Sequence, residues 1–189
     1  MWETCAAMEA APGTSLDPSA TARSRGRALR LFVVVAVLWY VADQVTKHLA
    51  VVNLADGEPR HFIGTLLQLR LLHNPGAAFS MGTGATVVLS CLAIAATVVV
   101  LWFSRRLVDP VWAVAFGLLL AGIDGNLTDR LFRDPAPLRG QVVDFLELPH
   151  WPVFNVADIG INVGAALLLL QILRGIQIDG RRAGTEKNA

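Results

Sequence analysis

The sequence predicts an all-α membrane protein of four transmembrane helices carrying a small extramembrane sheet, and three observations support this. Apolar residues make up 54% of the 189-residue chain and charged residues 16%, with a mean hydropathy of +0.52, too apolar for an ordinary water-soluble domain. Four apolar stretches, at about 29–54, 85–103, 111–127 and 156–176, each approach the ~20 residues at ~1.5 Å rise that cross a hydrocarbon core. Three polar clusters, GNLTDR (125–130), VVDF (142–145) and FNVAD (154–158), sit beside those stretches, where a charge costs a few kcal/mol or more unless it has a partner or a task.

Residues 1–28 are rich in Ala, Ser, Thr, Pro and Gly without apolar periodicity, which predicts a disordered cytoplasmic tail. Its end is basic (Arg23, Arg25, Arg27, Arg30) and leads into LFVVVAVLWYVA. A cleaved secretory signal has that order of regions, but the small-residue cleavage pattern is poor and three more apolar segments follow, so an uncleaved first span fits better. In the connection 56–83, Gly57, Pro59, Gly64, Pro75 and Gly76 surround LLQLRLL, whose partial alternation predicts a half-buried strand near the membrane surface. An open strand edge cannot lie in lipid, so any such sheet belongs at the interface or against protein. The integral domain is expected to cover 29–176 and a second cytoplasmic tail 177–189. Basic residues set the orientation: with the N-terminus inside, ten lie on the cytoplasmic side (Arg23, Arg25, Arg27, Arg30, Arg105, Arg106, Arg174, Arg181, Arg182, Lys187) against six outside. Asp43, Lys47, Asn126, Asp129, Arg130, Asp144 and Asp158 then all converge on the outer face.

Several function classes are disfavoured. The net charge of +1 gives no global field to recruit nucleic acid. Cys5 and Cys91 suggest neither a disulfide framework nor a thiolate metal site, and the scattered His48, His61, His73 and His150 lack the spacing of a zinc site. Ser80, Ser90 and Ser104 have no GxSxG elbow.

The remaining motifs each have a structural and a chemical reading. Asp43 and Lys47, four apart with the acid first, suit an intrahelical ion pair; the other reading is a site wall in which Lys47 meets an acidic or phosphate headgroup. HNPGAAFS (73–80) reads as a plain turn, or as a loop in which Asn74 orients a substrate carbonyl. In GNLTDR, Asn126 and Asp129 share a helix face, and Arg130 beside Asp129 suggests a structural bridge. Gly122 and Gly125 suit close helix packing, and Asp124 has no assigned role. Asp144 and Asp158 have no basic neighbour in sequence. Two carboxylates brought to ~3 Å in a poorly hydrated site share one proton, so one activates water while the other protonates a carbonyl oxygen; the same pair also suits ion binding or proton relay in a transport protein.

DQVTK, HNPGAAF, GNLTDR, VVDF and FNVAD occur in that order across four spans, and with them the chain resembles the lipoprotein signal peptidases, or signal peptidase II family, over 29–173. The resemblance implies an aspartyl endopeptidase of the bacterial cytoplasmic membrane, built of four transmembrane helices with an extracytoplasmic β-cradle. It would remove the signal peptide of diacylglyceryl-modified prolipoproteins just before the lipidated cysteine, without metal or organic cofactor, and be inhibited by globomycin. By motif, Asp144 and Asp158 would be catalytic; Asn74, Asn126, Arg130 and Asn155 would line the substrate site; Asp43, Lys47, Gly76 and Asp129 would support it. Asp124 departs from the family's usual small apolar residue and raises the prospect of a third carboxylate perturbing the pair.

Overall fold

The computed structural model describes residues 18–76 and 85–182. Helix α1 (Pro18–Asn53) is followed by strands β1 (Arg60–Ile63) and β2 (Leu67–Asn74), helices α2 (Ala85–Ser104) and α3 (Pro110–Phe132), strand β3 (Val142–Glu147) and helix α4 (Val156–Leu173). All four helices are long and apolar enough to cross a membrane. Val34, Leu38, Val88, Leu92, Val98 and Leu169 are exposed on them, as expected where lipid rather than water is the solvent.

Helix α1 starts at Pro18, not near Leu29, so residues 18–28 are helical where a disordered tail was expected. A proline is tolerated in a first helical turn, and the Ala- and Arg-containing segment that follows has good helix propensity. Residues 1–17, 77–84 and 183–189 lie outside the described residues, among them most of the expected tail, the AAFS half of the HNPGAAFS motif and most of the C-terminal tail.

Helix α3 is central and packs against α1, α2 and α4. Its buried positions are mostly small, including Ala113, Ala115, Gly117, Ala121, Gly122 and Gly125, which lets neighbouring backbones approach closely. A Cβ at Gly125 would lie 2.5 Å from Asp43 Oδ2 of α1, and one at Gly164 would lie 2.8 Å from the Ala115 carbonyl of α3. Asp109 caps α3, accepting from the Val111 and Trp112 amides with Pro110 in the first turn, the chemistry a helix start needs.

The sheet order is β1-β2-β3, antiparallel throughout. The expected strand at LLQLRLL is β2, and VVDF, between the third and fourth spans, is strand β3. Its Val142, Val143, Asp144 and Phe145 are all buried, so it lacks the alternation that marks a one-sided strand. Pairing sets Leu72 opposite Asp144 and Asn74 opposite Val142, and Val143 and Phe145 pack with Ala50 of α1 and with Leu54 just past its end. The sheet is thereby fixed over one end of the bundle.

Candidate active site

That end is where α1 and α3 finish and α4 begins, and the polar side chains singled out in the sequence gather there. Asp43 and Lys47 form the expected ion pair at 2.9 Å, both with no exposed side-chain surface. Lys47 Nζ also meets Asp129 Oδ2 at 2.8 Å and donates to Asn126 Oδ1 at 2.9 Å. With the ammonium enclosed by these groups, the reading of Lys47 as a site wall facing a headgroup is set aside. Asp43 also accepts from the Ala157 amide at 2.8 Å, tying α1 to the first turn of α4.

The expected Asp129–Arg130 bridge is replaced by another pairing. Asp129 binds Lys47 and, one helical turn on, Arg133, and it accepts from the Val143 amide at 3.2 Å. Arg130 points elsewhere: its Nη1 reaches the Asn126 carbonyl at 3.4 Å, and its guanidinium stands in the field of Asp158, Asp144 and Asp129. Its Nε is buried without a hydrogen-bond partner among the described residues, an arrangement that suits an incoming acceptor.

Asp144 and Asp158 meet through two asparagines. Asp144 accepts from Asn155 Nδ2 at 2.6 Å and from Asn74 Nδ2 at 2.9 Å. Asp158 accepts from Asn126 Nδ2 at 2.9 Å and from the Asn155 amide at 3.1 Å. Asn155 is the N-cap of α4, and its Oδ1 accepts from the Asp158 amide in a reciprocal capping box, so a helix-start motif doubles as the link between the two acids. Asn155 Nδ2 also donates to Asn126 Oδ1 at 3.0 Å. Gly76, at φ +112°, donates its amide to Asn74 Oδ1 at 2.9 Å; that left-handed conformation favours glycine, and the bond turns the Asn74 amino group toward Asp144.

The two carboxyls occupy different surroundings. Asp144 is 2% exposed, whereas Asp158 is half-buried. Burial pushes the Asp144 carboxyl up to about 6; the hydrogen bond from Asn74 opposes this, the Asp158 charge adds to it, and the Asn155 hydrogen bond and the Lys47 charge also oppose it. A paired carboxyl poised near neutrality, beside a more accessible one, suits exchange of a proton during a reaction. Among the described residues no group of His, Cys, Asp and Glu could hold a metal ion.

The sequence description "Signal peptidase (SPase) II" matches residues 35–174. The chain belongs to the signal peptidase II family. It is 45% identical over 180 residues to the lipoprotein signal peptidase of Leifsonia xyli subsp. xyli, covering 95% of this chain and 83% of the relative. It is 47% identical over 175 residues to that of Rhodococcus jostii, covering 90% and 88%. Two solved structures of a bacterial membrane enzyme, at 2.3 and 1.9 Å resolution, superpose with TM-scores of 0.67 and 0.68 at 27% and 28% identity, covering 75% and 76% of this chain and 87% and 92% of theirs.

Within this signal peptidase II fold, Asn74, Gly76, Asn126, Arg130, Asp144, Asn155 and Asp158 form one cluster, with Asp43, Lys47 and Asp129 directly beneath. Sequence reasoning missed Arg133 and Gln44, which donates to Asp43 and to the Gly125 carbonyl. The Asp129-to-Arg133 spacing of four was the available signal for the first; nothing in the sequence marked the second. Asp124 faces away from the cluster and accepts from Thr97 of α2 at 2.6 Å.

Proposed function

We propose that the chain is an aspartic endopeptidase of the bacterial cytoplasmic membrane that removes the signal peptide from diacylglyceryl-modified prolipoproteins, cutting just before the lipidated cysteine. The observation that carries this reading is the pair Asp144 and Asp158, joined through Asn155 and Asn126, in a chain of the signal peptidase II family. The relatives' name supports the substrate class, and the excess of basic residues at the opposite end supports cytoplasmic termini with the acids facing outward.

In this mechanism Asp144 and Asp158 hold one water and share one proton. Asp144, the more buried, carries that proton, and Asp158 is the base. Asp158 takes a proton from the water as its oxygen attacks the scissile carbonyl carbon, and Asp144 gives its proton to the carbonyl oxygen. The tetrahedral intermediate collapses as the carbonyl re-forms, returning that proton to Asp144, while Asp158 delivers its proton to the leaving amine. No covalent enzyme intermediate and no metal or organic cofactor is involved. Asn74, Asn126 and Asn155 orient the acids, Arg130 binds a substrate carbonyl, and the substrate's diacylglyceryl chains remain in membrane lipid. The transport alternative has little support: the central parts of α2 and α4 are almost purely aliphatic, whereas a conducting path needs polar groups through the bilayer.

The test is incubation of the purified chain with a diacylated prolipoprotein, read as a gel shift, with and without globomycin. Cleavage by the parent protein, its block by globomycin, and its loss in both Asp144→Asn and Asp158→Asn are expected. Substantial cleavage by the Asp144→Asn protein refutes the assignment.

A further inference from the structure

At the end of the bundle opposite the acids, α2, α3 and α4 enclose an apolar groove of about 620 Å³. Its walls include Val99 and Phe103 of α2, Trp112 and Phe116 of α3, and Leu168 and Ile172 of α4. The turn 175–178 lines its far end. Hydrogen bonds hold that turn in place: Trp112 Nε1 donates to the Ile176 carbonyl at 3.0 Å, and the Val108 amide donates to the Ile178 carbonyl at 3.1 Å.

The groove is aligned with the candidate active site. On α3, Trp112, Phe116, Leu119, Ile123, Asn126 and Arg130 recur at spacings of four and three, so one helix face bears the groove wall at one end and the donor to Asp158 at the other. On α4, Asp158, Ile161, Ala165, Leu168 and Ile172 follow the same rhythm. Two helices therefore lead from the acids to the groove without changing face.

We propose that this groove receives the apolar segment of the substrate's signal peptide as a helix, and that the turn 175–178 limits how long that helix can be. The inference rests on the peptidase reading above and specifies how its substrate is held. Asp158 and Ile172 are 14 positions apart, about 21 Å at helical rise. A substrate helix lying along α4 from the scissile bond to the groove's end needs a similar length, within the roughly 7–15 residues of a secretory signal's apolar core. A bilayer acyl chain has the same apolar chemistry but needs no alignment with the acids; the shared helix faces favour the peptide.

Two substrates separate the outcomes, with the full chain in lipid bicelles: a diacylated prolipoprotein, and a short diacylated peptide that spans the scissile bond but lacks the apolar segment. Val99→Trp and Leu168→Trp fill the groove. Each is expected to raise KM for the prolipoprotein about tenfold with kcat little changed, while cleavage of the short peptide stays at the parent level and shows that the variants fold. Equal effects on both substrates, or no effect on either, overturn the groove assignment and leave the peptidase reading standing; failure of the parent protein to cut either substrate removes both. As an independent measurement, a photoreactive side chain about ten residues, or ~15 Å of helix, before the scissile bond is expected to crosslink to α2 or α4 groove residues. Crosslinks to lipid alone overturn the proposal. Prolipoproteins whose apolar segment is lengthened by one and two helical turns should be cut with falling kcat/KM, and an unchanged value across that series sinks the length limit.

Discussion

Replacing Lys47 by methionine tests whether the site stands on a buried, charge-balanced foundation. Its ammonium lies 2.9 Å from Asp43 and 2.8 Å from Asp129, and neither acid's side chain is more than 1% exposed. After the substitution Asp129 keeps Arg133, but Asp43 keeps only the Ala157 amide at 2.8 Å and the Gln44 amide at 3.0 Å, with no cation among these. Leaving one partner of a buried pair uncompensated costs about 3–5 kcal/mol, and methionine's similar length keeps the lost packing small. Neutralising Asp43 as well removes the stranded charge, so Asp43→Asn/Lys47→Met should be more stable than Lys47→Met alone, although it carries one more substitution. Thermal unfolding of the purified variants in one detergent, followed by tryptophan fluorescence, reads both quantities. A single variant within about 0.5 kcal/mol of the parent, the range of an ordinary surface change, or a double variant less stable than the single, would refute the reasoning.

Asn74→Ala removes a hydrogen bond that favours ionised Asp144, so that carboxyl should move above about 6 and the alkaline limb of the kcat/KM profile, where the general acid loses its proton, should shift to higher pH; a limb that stays in place contradicts the role given to Asn74. Asp124→Ala should leave that profile unmoved, because Asp124 is directed at Thr97 on α2, and should lower the unfolding midpoint by the equivalent of about 1–3 kcal/mol for a lost hydrogen bond to a charged group. A shifted profile would mean that a third carboxylate does perturb the pair. Gly125→Ala sets a methyl 2.5 Å from Asp43 Oδ2 and should cost about 1–3 kcal/mol of stability through overpacking, measurable as a lower melting midpoint; an unchanged midpoint means that α1 and α3 are not locked at this crossing.

The spans were legible because lipid imposes a strong demand, about 20 apolar residues in a row, and the helix directions then carry the polar clusters to one end. The buried ion pair at Asp43 and Lys47 followed from a spacing of four. The same rule, applied to Asp129, selects Arg133 over Arg130, because neighbours in a helix diverge by about 100° while residues four apart share a face; the adjacent arginine was favoured on charge alone. Strand β3 was illegible for a different reason. A short segment buried on both faces carries no period, and its register against β2 depends on tertiary pairing that brings together residues 70 positions apart, Asn74 and Asp144. The capping role of Asn155 was present in the sequence as an asparagine three residues before an aspartate, but its second bond, to Asp144, exists only once β3 is in place.

The asparagines explain how a structural ion cluster can orient reactive acids. Asn126 Oδ1 accepts from Lys47 and from Asn155, so its amino group is left to face Asp158. Asn155 Oδ1 accepts from the Asp158 amide, so its own amino group is directed at Asp144. Each amide is polarised, with an acceptor toward the cation or the helix start and a donor toward a carboxylate, and only a side chain with both functions satisfies the two sides. Aspartate at either position would supply no donor and would add a third carboxylate beside the pair. The orientation of the outer acids is therefore set from within the bundle: Lys47 fixes Asn126, and Asn126 and Asn155 together fix the two carboxyls, which is why a lysine that touches neither Asp144 nor Asp158 belongs to the working arrangement of the site.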